Sequence, residues 1–307
     1  MTRKHIARDL NRKDQLQLQS MVMLGILFLL VFAYIPMLFV VIAFQDFNIV
    51  KGIEGSPWVG LKYFRNIFTD SSFFNVMRNT FGINLLGLAI GFPAHILLSL
   101  LLHELQNERF KRFVQKSSYL PYFFSWAVYG GIVLNFLSPS VGMINGLLKA
   151  LGVIDKGINF IGTPEYFWWI VVISGLVKGI GFSSIIYLAA IAGVDQEMSE
   201  AAKVDGANRF QVICHITIPS ILGTIVIMLI LAVAGILNTG PEQILVLQNV
   251  MNLKTSETLD TYVYKIGLQQ MNFSYATAVG LFKATVAVVL LAGTNALSKR
   301  LTDKGLF

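Results

Sequence analysis

Six long apolar runs limit this chain more than any other feature. They cover residues 21–44, 80–102, 119–137, 166–191, 219–237 and 276–297. Each has the ~20 mostly apolar residues that cross a hydrocarbon layer at 1.5 Å rise per residue. The expected fold is therefore all-α and integral to a membrane, with six transmembrane helices. A polar segment, 1–20, precedes a six-span domain, 21–297, and a short tail, 298–307, follows it. The chain is 55% hydrophobic and 13% charged, against about a quarter charged in soluble domains. Segment 1–20 lacks the short basic region and small-residue cleavage site of a secretory signal, so the first run is expected to stay as a span.

An even number of spans puts both termini on one side, and lysine and arginine choose the side. Segments 1–20, 102–118, 192–218 and 298–307 hold 14 of these residues, and the alternate set holds 8. The richer set is expected to be cytoplasmic. Net charge is +7, which in such a chain reports orientation. No basic cluster with interleaved aromatics points to nucleic acid. Cys214 stands alone, so no disulfide forms within the chain, and no Cys/His group has metal-ligand spacing. His95, inside an apolar run, reads as a partner for a neighbouring helix or as a polar path residue.

Two connections carry more pattern than a linker needs. In 44–79, Leu61, Phe64 and Phe68 recur at helical spacing, and so do Phe73, Phe74 and Met77, with cap residues Thr69-Asp70-Ser71-Ser72 between them. This predicts two short interfacial helices. They either pack at the headgroups, with Trp58 and Tyr63 as interfacial aromatics, or form a docking surface for an external partner. In 192–218, Asp195 is a good N-cap and Gln196 to Val204 are mostly good helix formers. Asp205-Gly206 is a stop signal, because glycine accepts positive φ. Met198, Ala201 and Ala202 share one narrow face, suited to entering a groove on another protein. Pro219 is expected to open the fifth span, where its missing N–H costs nothing. An ordinary amphipathic linker helix is the plain alternative.

Glu200-Ala201-Ala202, followed by Gly206, Ile216 and Pro219, resembles the Glu-Ala-Ala loop, E-A-A-x3-G-x9-I-x-L-P, of permease subunits in binding-protein-dependent ABC importers. Ile218 stands where that pattern has leucine. Further matches resemble the polysaccharide, or LplB-type, branch of the sugar permeases. They are Gly60-Leu61-Lys62-Tyr63-Phe64, Asn79-Thr80, Leu120-Pro121-Tyr122-Phe123, Ser138-Pro139-Ser140, Lys178-Gly179-Ile180-Gly181-Phe182, Tyr187-Leu188-Ala189-Ala190-Ile191-Ala192-Gly193, Asp260-Thr261-Tyr262-Val263-Tyr264 and Tyr275-Ala276-Thr277-Ala278-Val279-Gly280-Leu281-Phe282-Lys283. Gly240-Pro241-Glu242-Gln243 departs from it, where that branch has phenylalanine before the acidic residue.

The resemblance implies a bacterial plasma-membrane permease, paired with a second permease above two cytosolic ATPases. A solute-binding protein outside would deliver an oligosaccharide or polysaccharide, and an acidic, uronate-type glycan is the alternative cargo. It implies that Glu200, Ala201, Ala202, Asp205, Gly206, Ile216 and Pro219 couple to the ATPase. The chain needs no cofactor of its own, since ATP and Mg belong to the partner. No G-x-x-x-x-G-K-[ST] loop is present, so ATP hydrolysis is not placed here and the chain is not an enzyme.

Six polar residues are candidates for the path. Lys178 lies mid-span, where a charge needs a partner or water. It either grips sugar hydroxyls or a sugar carboxylate, or donates to an unwound carbonyl nearby. Lys283 lines the path or snorkels outward. Asn238, Glu242 and Gln243 follow the fifth span at its outer end, and Tyr187 offers a ring and a hydroxyl. An ion-coupled transporter is a second class, but no Asp or Glu falls inside the six runs. A membrane enzyme is a third, and the spans offer it only two lysines and one histidine.

Overall fold

The computed structural model describes residues 12–302, with side chains from 15 to 300, so the end segments 1–20 and 298–307 lie partly outside the described residues. Among the described residues, four helices are long and apolar enough to cross a membrane. They are α1 (Gln15–Phe44), α3 (Ser71–Glu104), α7 (Pro164–Ala192) and α13 (Phe273–Thr302). Between them lie α2 (Lys62–Thr69), α4 (Glu108–Tyr119), α5 (Trp126–Phe136) and α6 (Met143–Ala150). After α7 come α8 (Gln196–Val204), α9 (Arg209–Ser220), α10 (Leu222–Ala234), α11 (Pro241–Leu247) and α12 (Leu259–Tyr264).

The expected second interfacial helix is not separate. Its residues Phe73, Phe74 and Met77 are the first turns of α3, which Asp70 caps by accepting from the Ser72 amide at 2.8 Å. The expected third span is also not one helix. Pro121 cannot continue α4, so Leu120–Phe123 tighten into a 3-10 turn and Ser125 restarts the chain as the cap of α5. With 11 residues, α5 is only about 16 Å long and cannot cross alone. The fifth run starts earlier than expected, at Arg209, and bends by 65° between α9 and α10. Pro219 therefore sits inside the helical run. Proline lacks the N–H for residue i−4 and crowds its carbonyl. The turn before it accordingly widens to a π turn over Ile213–Thr217, and Leu30–Tyr34 widen likewise before Pro36.

The helices α3 and α7 lie side by side in parallel. Gly82 permits this, because a Cβ there would stand 2.3 Å from the Trp168 ring. Around them sit three apolar clusters, at Phe73, Val76, Leu237 and Val279, at Ile83, Phe167, Val171 and Ile244, and at Leu100, Ile191 and Ile221. Asn79 Nδ2 donates to the carbonyls of Lys254 and Glu257 at 2.9 and 3.0 Å, and Thr80 Oγ1 accepts from the Leu259 amide at 2.9 Å. These bonds tie the chain before α12 to α3.

Asp70 also accepts from the hydroxyls of Tyr262 and Tyr275. Burial pushes its carboxyl up, but the hydrogen bonds from Tyr262, Ser72 and Tyr275 outweigh it, so the group titrates below its usual range. A depressed native pKa adds stability at pH values above the unfolded pKa, and that stability fades as pH falls through the native one. Asp70→Asn should lower the melting temperature at neutral pH, and the gap to the wild type should close in acid. Intrinsic-fluorescence melts across pH 3 to 8 check this, and a gap that stays constant with pH refutes it.

Candidate functional site

A cavity of about 240 Å³ opens between α3 and α7. Glycines form its floor: Gly87 and Gly91 on α3, and Gly175 and Gly179 on α7. Close packing does not demand them. A Cβ at 87, 91 or 175 would meet its nearest neighbour no closer than 3.5 Å, and one at 179 would meet nothing within 4 Å. They leave backbone open to the cavity, as a site for close ligand approach requires.

The polar edge comes from Asn84, His95, Ser183, Thr239 and Gln243. Asn84 Nδ2 donates to the Thr80 carbonyl and to Thr239 Oγ1, at 2.9 and 3.0 Å. Gln243 is buried and its Nε2 donates to the Val171 carbonyl at 2.7 Å and to Ser174 Oγ at 3.2 Å. With both amide nitrogens committed, the amide oxygens of Asn84 and Gln243 remain as acceptors. The lining includes no Lys, Arg, Asp or Glu.

Of the six sequence candidates, only Gln243 lines this cavity. Lys178 points away and donates to the carbonyls of Pro121, Tyr122 and Phe124 at 3.1, 2.9 and 2.6 Å. The unwound backbone it meets is that of the broken third segment. Lys283 pairs with Asp260, whose other oxygen accepts from the Thr239 amide at 2.9 Å. Tyr187 is buried edge-on to Phe92. Asn238 and Glu242 are exposed. Sequence reasoning passed over Asn84 and Thr239. A Gly-x-x-x-Gly spacing at 87 and 91, and again at 175 and 179, was the available signal, with Asn84 one turn before the first pair.

At the end where α3 and α7 finish, α8 forms as the sequence predicts. Asp195 accepts from the Glu197 amide at 2.9 Å. Gly206 adopts φ +85°. The amide of Ala207 reaches back to the Ala202 carbonyl at 2.9 Å, and that of Gly206 to Lys203 at 3.1 Å, which together make a Schellman ending. The next helix opens with a reciprocal Asn208–Gln211 capping box. One expectation changes. Ala202 is half-buried in a hollow with Ala207 and Gln211, so the free strip of α8 is Met198, Ala201 and Val204. Ser199 and Lys203 face a second cavity, of about 740 Å³, shared with His103, Glu108 and Lys111. Glu200 and Asp205 are exposed, Ile216 is half-buried, and Pro219 is exposed just before the bend.

Residues 74–303 match the family described as binding-protein-dependent transport system inner membrane component. The chain belongs to this family. Among its relatives is the polygalacturonan/rhamnogalacturonan transport system permease protein YteP of Bacillus subtilis (strain 168), 43% identical over 96% of this chain and 91% of the relative. Protein LplB of the same organism is 40% identical over 92% and 88%. Among solved structures, a bacterial ABC transporter involved in the import of the acidic polysaccharide alginate matches with TM-score 0.86. Identity there is 36%, over 95% of this chain and 97% of that one. A bacterial alginate ABC transporter in complex with an alginate pentasaccharide-bound periplasmic protein matches at TM-score 0.87 and 36% identity, over 96% and 98%.

Proposed function

We propose that this chain is one permease subunit of an ABC importer that passes an oligosaccharide or polysaccharide across a bacterial plasma membrane. The observation that carries this is the groove between α3 and α7. It has open backbone on its floor, hydroxyl and amide groups on its edge and no fixed charge. Amide oxygens and a threonine hydroxyl complement sugar hydroxyls. The named cargoes of the alginate and polygalacturonan relatives favour an acidic, uronate-type glycan. This chain would then read the hydroxyls of that glycan, because both of its candidate lysines are committed elsewhere.

The chain crosses six times in this reading. The third crossing is the end of α4 and α5 joined at their break, with the charged first turns of α4 (Glu108, Arg109, Lys111 and Arg112) at its cytoplasmic end, and the fifth is the bent pair α9 and α10. Both termini and α8 face the cytoplasm, where Met198, Ala201 and Val204 meet one of two ATPase subunits that bind ATP and Mg. A second permease completes the path, and a solute-binding protein delivers the glycan from outside. The ion-coupled alternative loses ground on one geometric point. Unwound carbonyls at membrane depth are where such carriers hold a cation, and here the chain's own Lys178 ammonium fills that place.

Gly179→Leu tests the groove. Position 179 has room for a Cβ, so the helix pair should survive while the longer side chain obstructs the cavity. Uptake of alginate or polygalacturonate oligosaccharides by the complete transporter should fall roughly tenfold or more, the scale of a 1.4 kcal/mol penalty. Unchanged uptake with normal assembly would remove the groove from the path.

A further inference from the structure

Lys178 lies at the middle of α7 and is only 8% exposed. All three of its N–H groups point at carbonyls of one short stretch, Pro121, Tyr122 and Phe124. Its ammonium also lies 5.6, 5.4 and 5.7 Å from the ring centres of Tyr122, Trp126 and Tyr129. That is a carbonyl crown closed by three aromatic faces, a strong environment for a desolvated cation. Breaking a helix in a membrane strands carbonyls with no water to solvate them, so something must satisfy them. One helical turn along, Gly181 brings the backbones into contact, since a Cβ there would stand 2.3 Å from the Ser118 carbonyl oxygen.

The break does more than bend α4 into α5. It sets α5 so that the Tyr129 hydroxyl donates to the Ser174 carbonyl at 3.0 Å. Ser174 Oγ is the atom that receives Gln243 Nε2. Gly130, next along α5, seats Val246 of α11, with a Cβ there only 2.5 Å from Val246 Cγ1. Lys178 on α7 with its carbonyl crown, the start of α5 and the Gln243 edge of the groove are thus one connected set of contacts.

We propose that Lys178 is a positioning residue: its ammonium is a built-in cation that holds the third segment broken, and through α5 it fixes Gln243 at the groove edge. The proposal rests on the groove being the sugar path. It predicts that Lys178 acts without regard to substrate charge, since it touches no substrate.

Lys178→Ala deletes a fragment equivalent to n-propylammonium, and this permits chemical rescue. In vesicles holding the complete transporter, Lys178→Ala should lower uptake of neutral and acidic oligosaccharides alike, about tenfold. Added n-propylammonium should restore much of it. Tetramethylammonium should not, because it offers a cation without N–H donors, and neither should sodium. Tyr129→Phe leaves the crown's carbonyls and ring faces in place and cuts only the tie to Ser174. It should raise the KM for both glycan classes, and it serves as the reporter where Lys178→Ala fails to assemble. Selective loss of acidic substrate would make Lys178 a substrate contact and overturn the proposal. So would failure of n-propylammonium to rescue an assembled variant, or wild-type kinetics in Tyr129→Phe. Normal uptake by Gly179→Leu would instead fault the groove reading and leave these outcomes interpretable as contacts of the third segment alone.

Discussion

Ala201→Trp and Gly206→Val should abolish glycan-stimulated ATP hydrolysis while the transporter still assembles. Ala201 lies in the middle of the free strip of α8, between Met198 and Val204, and is exposed among the described residues. An indole there would obstruct any groove that receives the strip. Gly206 acts differently. A Cβ at 206 meets nothing within 4 Å, so crowding is not the cause of the expected loss. The cause is φ +85°, where a β-branched residue is strained by about 1–2 kcal/mol or more. Relieving that strain undoes the Schellman ending and re-aims α8 relative to the next helix. A tenfold loss needs only about 1.4 kcal/mol. Gly206→Asn should fall between valine and wild type, because asparagine tolerates the left-handed region. The readout is ATPase activity in vesicles with binding protein, glycan and ATPase subunits present. Normal stimulation in both Ala201→Trp and Gly206→Val would mean that this loop is not the coupling element.

The loop could be read from sequence because its signals are local. A cap at Asp195, a left-handed stop at Gly206 and the spacing to Pro219 all lie within one short stretch, and each works through its own neighbours. The four long spans were legible for a similar reason, since length and apolar composition settle them. The third segment was not, because what it needs is far away in sequence. Pro121 signals a break, but the groups that make a break tolerable are Lys178 and the bare backbone at Gly181. The bend at Ile221 was missed for a related reason, since Pro219 reads equally well as a first helical residue and as a residue inside a bent helix. The glycines show the limit most clearly. Gly82, Gly179 and Gly181 look alike in an apolar run, yet one seats Trp168, one faces open space and one rests on a carbonyl. Only the neighbouring helix separates packing from path.

Of the polar path candidates, Gln243 lines the cavity while Lys178, Lys283 and Tyr187 lie outside its lining, and Lys283 gives the sharpest test of why. It was a candidate because an intramembrane lysine is costly without a partner. The partner is Asp260, outside the spans, and the pair is about four-fifths buried. Asp260 in turn accepts from the Thr239 amide, and Thr239 Oγ1 accepts from Asn84. Lys283→Gln therefore leaves a carboxylate with less than its charge balanced, next to the turn that edges the groove. Breaking a fully buried pair costs roughly 3–5 kcal/mol and an exposed one under about 1. This partly buried pair should cost about 2 kcal/mol. Asp260→Asn combined with Lys283→Gln removes both charges and keeps an acceptor for the Thr239 amide, so it should recover most of that loss. Thermal melts of the purified complex should show Lys283→Gln as less stable than both the double variant and the wild type. Its uptake should fall for neutral and acidic glycans together, because the groove edge loosens for both. A Lys283→Gln protein that melts normally but rejects only acidic glycans would show that this lysine meets the substrate's charge, and the assignment of a neutral groove would then be wrong.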